Sequence, residues 1–262
     1  MESGFHLAKW YFDCITDSGD ACIGYAAVVR WNKFTLHYTS VVHGNAHNGF
    51  TSSTSLHSTK LPVLHHDTME WTCKELDANG SWKRKYNPID RTLLENEHGW
   101  IRWSCIMPGA ETDLRIGHVQ YTGLGYVEYL EMTIPPWKLP IEELRWGRFI
   151  SATNAVVWID WRGVHPLRFV SHNGTEINCR TLDDTVITSH NNLVRLQLDT
   201  STVIRSGPII NTALKKIPGI DLVIPKNILN TDERKWLSHG TLQNGNLHPS
   251  AGFAIHEIVR FI

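Results

Sequence analysis

The sequence predicts an all-β protein made of two related antiparallel units. Three observations carry this. Short apolar runs recur at spacings of roughly 8–12 residues with turn chemistry between them, the pattern of antiparallel sandwiches and barrels. Helix signals are scarce throughout the 262 residues. Landmarks near the start and finish of one half return in the other, in the same order. Lys9-Trp10-Tyr11-Phe12 opens the chain, and Arg145-Trp146-Gly147-Arg148-Phe149 follows its centre. Gly123, four residues and Glu128 find an echo in Gly252, four residues and Glu257. Trp10 precedes Glu128 by 118 positions and Trp146 precedes Glu257 by 111. An internal duplication follows, with units over residues 1–132 and 133–262 joined near 133–143.

Taken in order, residues 10–15 and 21–29 are β-prone runs around Asp17-Ser18-Gly19-Asp20, a hairpin signal. Residues 34–42 alternate at period two, as a half-buried strand does. Residues 43–67 are rich in Gly, Asn, Ser, Thr and His and read as a long loop. Strands are expected at 68–75, 81–86, 91–94, 99–107 and 114–121, with Asn79-Gly80 as a hairpin turn. In the second half, 149–160 alternates, 161–163 turns, and 167–172 leads to a turn at Asn173-Gly174. Strands are expected again at 176–182, 185–189, 194–199, 203–206, 222–224, 236–244 and 253–261. The best helical signal is one turn over 230–236, capped by Thr231 or Asp232.

Composition bounds the function. An apolar fraction of 42 % with 19 % charged residues belongs to a globular protein. A net charge of −1 gives no global field for nucleic acid or anionic membrane. Eleven tryptophans need a large core or an aromatic-lined cavity. Residues 1–6 carry neither a basic nor an apolar signal region, and no apolar run reaches a bilayer-spanning length. The five cysteines are odd in number with no CxxC spacing, which points to reduced thiols and a cytoplasmic setting.

No Gly-x-Ser-x-Gly elbow, P-loop or dinucleotide fingerprint occurs. His43, His47, His65, His66 and Asp67 could ligate a metal but form no recognised frame, so they are read as loop histidines and no metal is expected. Glu128 and Glu257 recur in both halves, which favours a structural role met by an Arg or backbone donors. Tyr129 and Glu131 share the other face of the Glu128 strand. Trp158 and Asp160 share one face of another strand, opposite a first-half counterpart, Ile23-Gly24-Tyr25, that lacks the carboxylate. If both faces line one cavity, burial would raise a carboxyl pKa and make a general acid, beside rings that stabilise a cation. Alternatively Asp160 starts a turn and pairs with Arg162 or solvent.

The Trp10-Tyr-Phe-Asp13 start, the central Gly-x-Gly-Tyr segment and Trp146-Gly-Arg-Phe149 resemble the tandem-lipocalin family of carotenoid 1,2-hydratase (hydroxyneurosporene synthase), AttH-like proteins and tocopherol cyclase, to which fungal pericyclases also belong. The resemblance implies two lipocalin-like β-barrels packed together, with a hydrophobic pocket near their junction. The hydratases carry Gly-Tyr-His-Asp-His-Asn-Trp where this chain has Gly125-Tyr126-Val127-Glu128-Tyr129-Leu130-Glu131, and a Tyr-x-Asp where it has Trp158-Ile159-Asp160. Both family histidines are replaced, which puts hydration itself in doubt, while Asp160 is kept.

The expected function is an enzyme acting on an isoprenoid or polyene by acid-initiated cyclisation or hydration. Asp160 would be the acid, Glu131 the base, and Tyr129 and Trp158 the cation-stabilising rings; Glu128, Trp161, Trp146 and Tyr126 would bind substrate. A lipocalin-type carrier of a hydrophobic small molecule and a pericyclase of the same fold are the alternatives. No cofactor and no nucleic acid are expected, and peripheral membrane contact would serve to collect a terpenoid or polyene substrate.

Overall fold

In the first half of the chain, a tryptophan-rich core forces one long sheet to curl. The structure is a computed structural model that describes residues 4–57, 60–199, 202–212 and 229–261. It divides into two units, Met1–Lys138 and Leu139–Ile262. The first holds β1 (Phe5–Thr16), β2 (Ala21–Trp31), β3 (Phe34–Asn45), β4 (Gly49–Ser55), β5 (Val63–His65), β6 (Thr68–Cys73), β7 (Ala78–Arg84), β8 (Ile89–Asn96), β9 (Gly99–Ile116) and β10 (Val119–Met132). These form one sheet in the order β4-β3-β2-β1-β10-β9-β7-β6-β5, with β8 added to β9, and every pairing is antiparallel.

Alternation sends Phe12, Cys14, Cys22, Val41, Met69, Trp71, Trp82, Met107 and Val127 into a single buried cluster. Val41 and Trp71 come from strands far apart in the sheet order, so the sheet wraps round its own inner face. Phe12 packs against both indoles, with ring centroids 4.7 Å from Trp71 and 5.0 Å from Trp82. The buried Trp82 Nε1 donates to the Asp13 carbonyl at 2.7 Å, so burying this ring strands no polar atom.

The second unit repeats the plan ten strands later. Its elements are β11 (Ile141–Ile150), β12 (Ala155–Gly163), β13 (Leu167–His172), β14 (Thr175–Glu176), β15 (Cys179–Leu182), β16 (Val186–Ser189), β17 (Val194–Leu198), β18 (Thr202–Pro208), β19 (Asp232–Asn244) and β20 (Ser250–Arg260). The order β14-β13-β12-β11-β20-β19-β17-β16-β15, with β18 added to β19, matches the first sheet strand for strand. Its cluster gathers Phe149, Val156, Trp158, Val170, Leu182, Leu196 and Leu242. The fold is all-β, in two lipocalin-like antiparallel units related by duplication. No helix among the described residues is long and apolar enough to cross a membrane.

The glycine echo fixes the alignment of the halves. A Cβ on Gly123 would meet the Ile15 carbonyl oxygen at 2.1 Å, and one on Gly252 would meet that of Ile150 at 2.2 Å. Counting from there, Glu128 and Glu257 are equivalent, facing Tyr11 and Trp146 across their strand pairs. The counterpart of Trp146 is therefore Tyr11 rather than Trp10. By the same registers Trp158 and Asp160 match Gly24 and Ala26, one residue on from the expected triplet.

Other local expectations change for stated reasons. Much of 43–67 is strand, because β3 runs on to Asn45 and β4 pairs with it. Asn79-Gly80 lies inside β7, and the turn is made earlier by Asp77 at φ 45°. One 18-residue strand, β9, replaces two shorter ones. The expected helical turn at 230–236 is mostly β19, whose residues pair with β20 from Asp232 onward. Turns at Gly19 and at Asn173-Gly174 fall as expected, the last two with φ 52° and 79°. The expected strand at 222–224 lies outside the described residues.

Candidate functional site

The inner face of the first unit turns from apolar to polar as it nears the start of β1. Register sets Trp10 opposite Tyr129 and Ala8 opposite Glu131. Alternation then places His6, Trp10, Tyr129 and Glu131 on the face that carries Phe12 and Val127 in the core. The Trp10 and Tyr129 rings lie 5.0 Å apart at 49°. His6 Nε2 is 2.7 Å from Glu131 Oε1, and both side chains are only about 30 % exposed, at 28 % and 31 %. The other ring nitrogen of His6, Nδ1, is shielded from solvent and meets no hydrogen-bond partner among the described residues. Burial first, and then the Glu131 charge, push the Tyr129 phenol above its usual range, so it keeps its proton at neutral pH. On the neighbouring strand Arg102 stands opposite Glu131, its guanidinium 4.2 Å from the Trp100 ring centre.

The corresponding face of the second unit carries Trp158 and Asp160. Trp158 is a core ring: it is 2 % exposed and lies where a Cβ on Gly147 would come within 2.2 Å of it. Asp160 is equally buried, but its oxygens are engaged. Oδ2 accepts from Arg162 Nε at 3.0 Å and Oδ1 from Arg168 Nε at 3.1 Å. The Arg162 partnership is the alternative raised by the sequence, although the strand continues through Gly163 instead of turning at Asp160. Glu143 joins the same network, accepting from Arg145 at 2.8 Å, Arg162 at 3.0 Å and Arg260 at 3.0 Å, and Arg145 also pairs with Asp184. Burial alone would raise the Glu143 carboxyl; the hydrogen bonds from Arg145 and Arg260 outweigh it and hold the group below its usual value. Trp158 and Asp160 thus belong to one unit, Tyr129 and Glu131 to the other.

The residues expected to bind substrate lie on the opposite sheet faces. Glu128 Oε2 accepts from Trp103 Nε1 at 2.6 Å and from the Tyr126 hydroxyl at 2.8 Å, all three side chains being buried. Burial, then the neighbouring Cys105 and Glu128, push the Tyr126 phenol well up. Its counterpart Glu257 sits 2.6 Å from Lys235 Nζ. An indole and a phenol are thus among the partners of Glu128, and a lysine is among those of Glu257. Trp146 and Trp161 are buried on the outer face of the second sheet.

Two features escape sequence reasoning. His6 and Glu131 are 125 positions apart, and only the pairing of the first and last strands brings them together. His256 Nε2 lies 2.9 Å from Ser238 Oγ, with Trp236 stacked on its ring at 5.1 Å and Trp158 at 6.2 Å. Burial lowers its pKa from 6.5 to about 4. The adjacent Glu257 carries the repeat signal, so the histidine beside it passes as filler. His43 is held by Tyr121 at 2.9 Å and Thr51 at 3.2 Å, and no metal-ligating cluster of three or more occurs among the described residues.

No protein-family model matches the chain, and no curated protein matches it. Solved structures do share its fold. The crystal structure of CghA with Sch210972 has a TM-score of 0.58 at 8 % identity, covering 98 % of this chain and 89 % of that one. Kievitone hydratase from Nectria haematococca gives 0.54 at 10 % identity, with 98 % and 89 % covered. A putative AttH from Nitrosomonas europaea gives 0.57 at 10 %, with 98 % and 93 % covered. At such identities the likeness establishes the fold: this chain has the tandem lipocalin-like architecture of those proteins along nearly its whole length.

Proposed function

We propose that the protein is an enzyme that transfers a proton to and from a hydrophobic, unsaturated small molecule of the isoprenoid or polyene type. The observation that carries this is the His6–Glu131 pair, with its unpartnered, shielded Nδ1, beside Trp10 and Tyr129 on the inner face of the first unit. A buried ring nitrogen without a partner is costly unless a bound molecule or water completes it. The proton to be transferred is relayed across the 2.7 Å contact between the two groups. Delivered to an electron-rich double bond, it leaves a carbocation facing the Trp10 indole and the Tyr129 ring. Water, or an internal hydroxyl or alkene, then forms the new bond and returns one proton to Glu131, so the pair ends as it began. Water quenching gives hydration, internal quenching gives cyclisation. The kievitone hydratase and CghA folds are compatible hosts for either outcome.

This reading moves the acid from Asp160 to the His6–Glu131 pair, since both Asp160 oxygens serve arginines. Asp160 becomes the anchor of an ion-pair network. The same fact favours a second reading, a pericyclase or carrier whose walls only fold and shield the ligand. Turnover of linear isoprenoids and polyenes by Glu131→Gln and His6→Ala separates the two. Proton-transfer chemistry predicts a loss on the order of a hundredfold or more in kcat. An unchanged rate would leave the pericyclase reading, and binding without turnover in the unmodified protein would leave the carrier.

A further inference from the structure

A separate cavity opens at the rim of the first unit. It measures about 730 Å³ and is walled by Trp31, Trp100 and Trp137, with Glu95, Glu97 and Lys138 among its polar residues. That volume suits a small molecule. The walls are held by contacts independent of any ligand. Trp31 and Trp137 meet edge to face at 5.1 Å, and Phe5 braces Trp137 at 6.1 Å. The Trp100 backbone N–H donates to Thr133 Oγ1 at 3.0 Å, and Thr133 N–H returns a bond to the Trp100 carbonyl at 3.0 Å. Gly99, at φ +128°, permits this approach, because a Cβ there would come within 2.3 Å of Thr133 Oγ1.

The geometry points to a binding site for a compact organic cation, a quaternary or substituted ammonium. Indole faces are the strongest aromatic partners for a cation. The rim already shows the preference in its own side chains, since the Arg102 guanidinium lies 4.2 Å over Trp100. Glu95 and Glu97 supply carboxylates at the cavity wall, beside Lys138 and Arg102, with His98 3.7 Å from Glu97. The cation's alkyl body would displace water from the tryptophans while Glu95 and Glu97 balance its charge. The site does not depend on the chemistry proposed for His6 and Glu131.

The test compares choline with 3,3-dimethyl-1-butanol, its neutral isostere, by calorimetry and tryptophan fluorescence on the full chain. Saturable choline binding at least about tenfold tighter than the alcohol is expected. Glu95→Gln/Glu97→Gln, both at exposed positions, should remove that preference while circular dichroism stays unchanged. Trp137→Phe should weaken choline and retain the selectivity. Equal affinity for the two probes, no saturable binding of choline, tighter binding of a neutral sugar, or a preference surviving the double substitution would each overturn the assignment.

Discussion

Gly24 lies beneath the ring of Phe12, so close that a Cβ on the glycine would come within 2.0 Å of it. The second unit uses the same pair of positions with the partners exchanged: Gly147 lies beneath Trp158, at 2.2 Å. In each unit one ring crosses from its strand to cover the neighbour, and the neighbour must be glycine. The duplication has kept the volume at the centre of each sheet and swapped which strand supplies it.

Gly147→Ala should therefore destabilise the second unit by about 1–3 kcal/mol through overpacking, and Gly24→Ala the first by a similar amount. Urea denaturation reads both. A paired Gly147→Ala/Trp158→Leu variant should recover part of the loss, since the smaller side chain frees the space.

Acid should weaken the second unit through His256. Its pKa is lowered from 6.5 to about 4 by burial, so between those values the unfolded chain takes up a proton that the folded one refuses. The stability is fully present above pH 6.5 and is lost as the pH falls through about 4, a change of roughly 3 kcal/mol. Urea midpoints measured from pH 7 to 4 should fall less steeply in His256→Gln than in the unmodified protein.

Asp160→Asn should cost stability by roughly 1–3 kcal/mol, discounted because Arg162 and Arg168 are 43 % and 44 % exposed. It removes a buried anion from beneath two guanidinium groups. Turnover per folded molecule should stay within a few-fold of the original.

These predictions rest on relationships of unequal legibility in the sequence. Period-two alternation and turn residues exposed the all-β class, and the spacing from Gly123 to Glu128, repeated from Gly252 to Glu257, exposed the duplication. The pairing of Trp10 with Trp146 misled by one residue, because tryptophan identity outweighed the strand register that makes Tyr11 the counterpart. One residue of slip exchanges inner and outer faces. The candidate site was half visible. Tyr129 and Glu131 share a face by alternation alone, whereas His6 reaches Glu131 only because β1 and β10 are neighbours. Asp160 stood out as a lone carboxylate in an apolar run, yet Arg168, which sits opposite it, lies on the next strand. Local sequence shows which face a side chain takes and not what it meets there.

Solvent deuterium incorporation tests the central claim most directly. The protein would be incubated in D2O with a panel of linear isoprenoids and polyenes, and the recovered products examined by mass spectrometry for carbon-bound deuterium. Proton transfer at His6 and Glu131 predicts deuterium in the product, lost by about a hundredfold in Glu131→Gln and retained in Asp160→Asn. Product formed without deuterium, or incorporation that survives Glu131→Gln, would contradict the account.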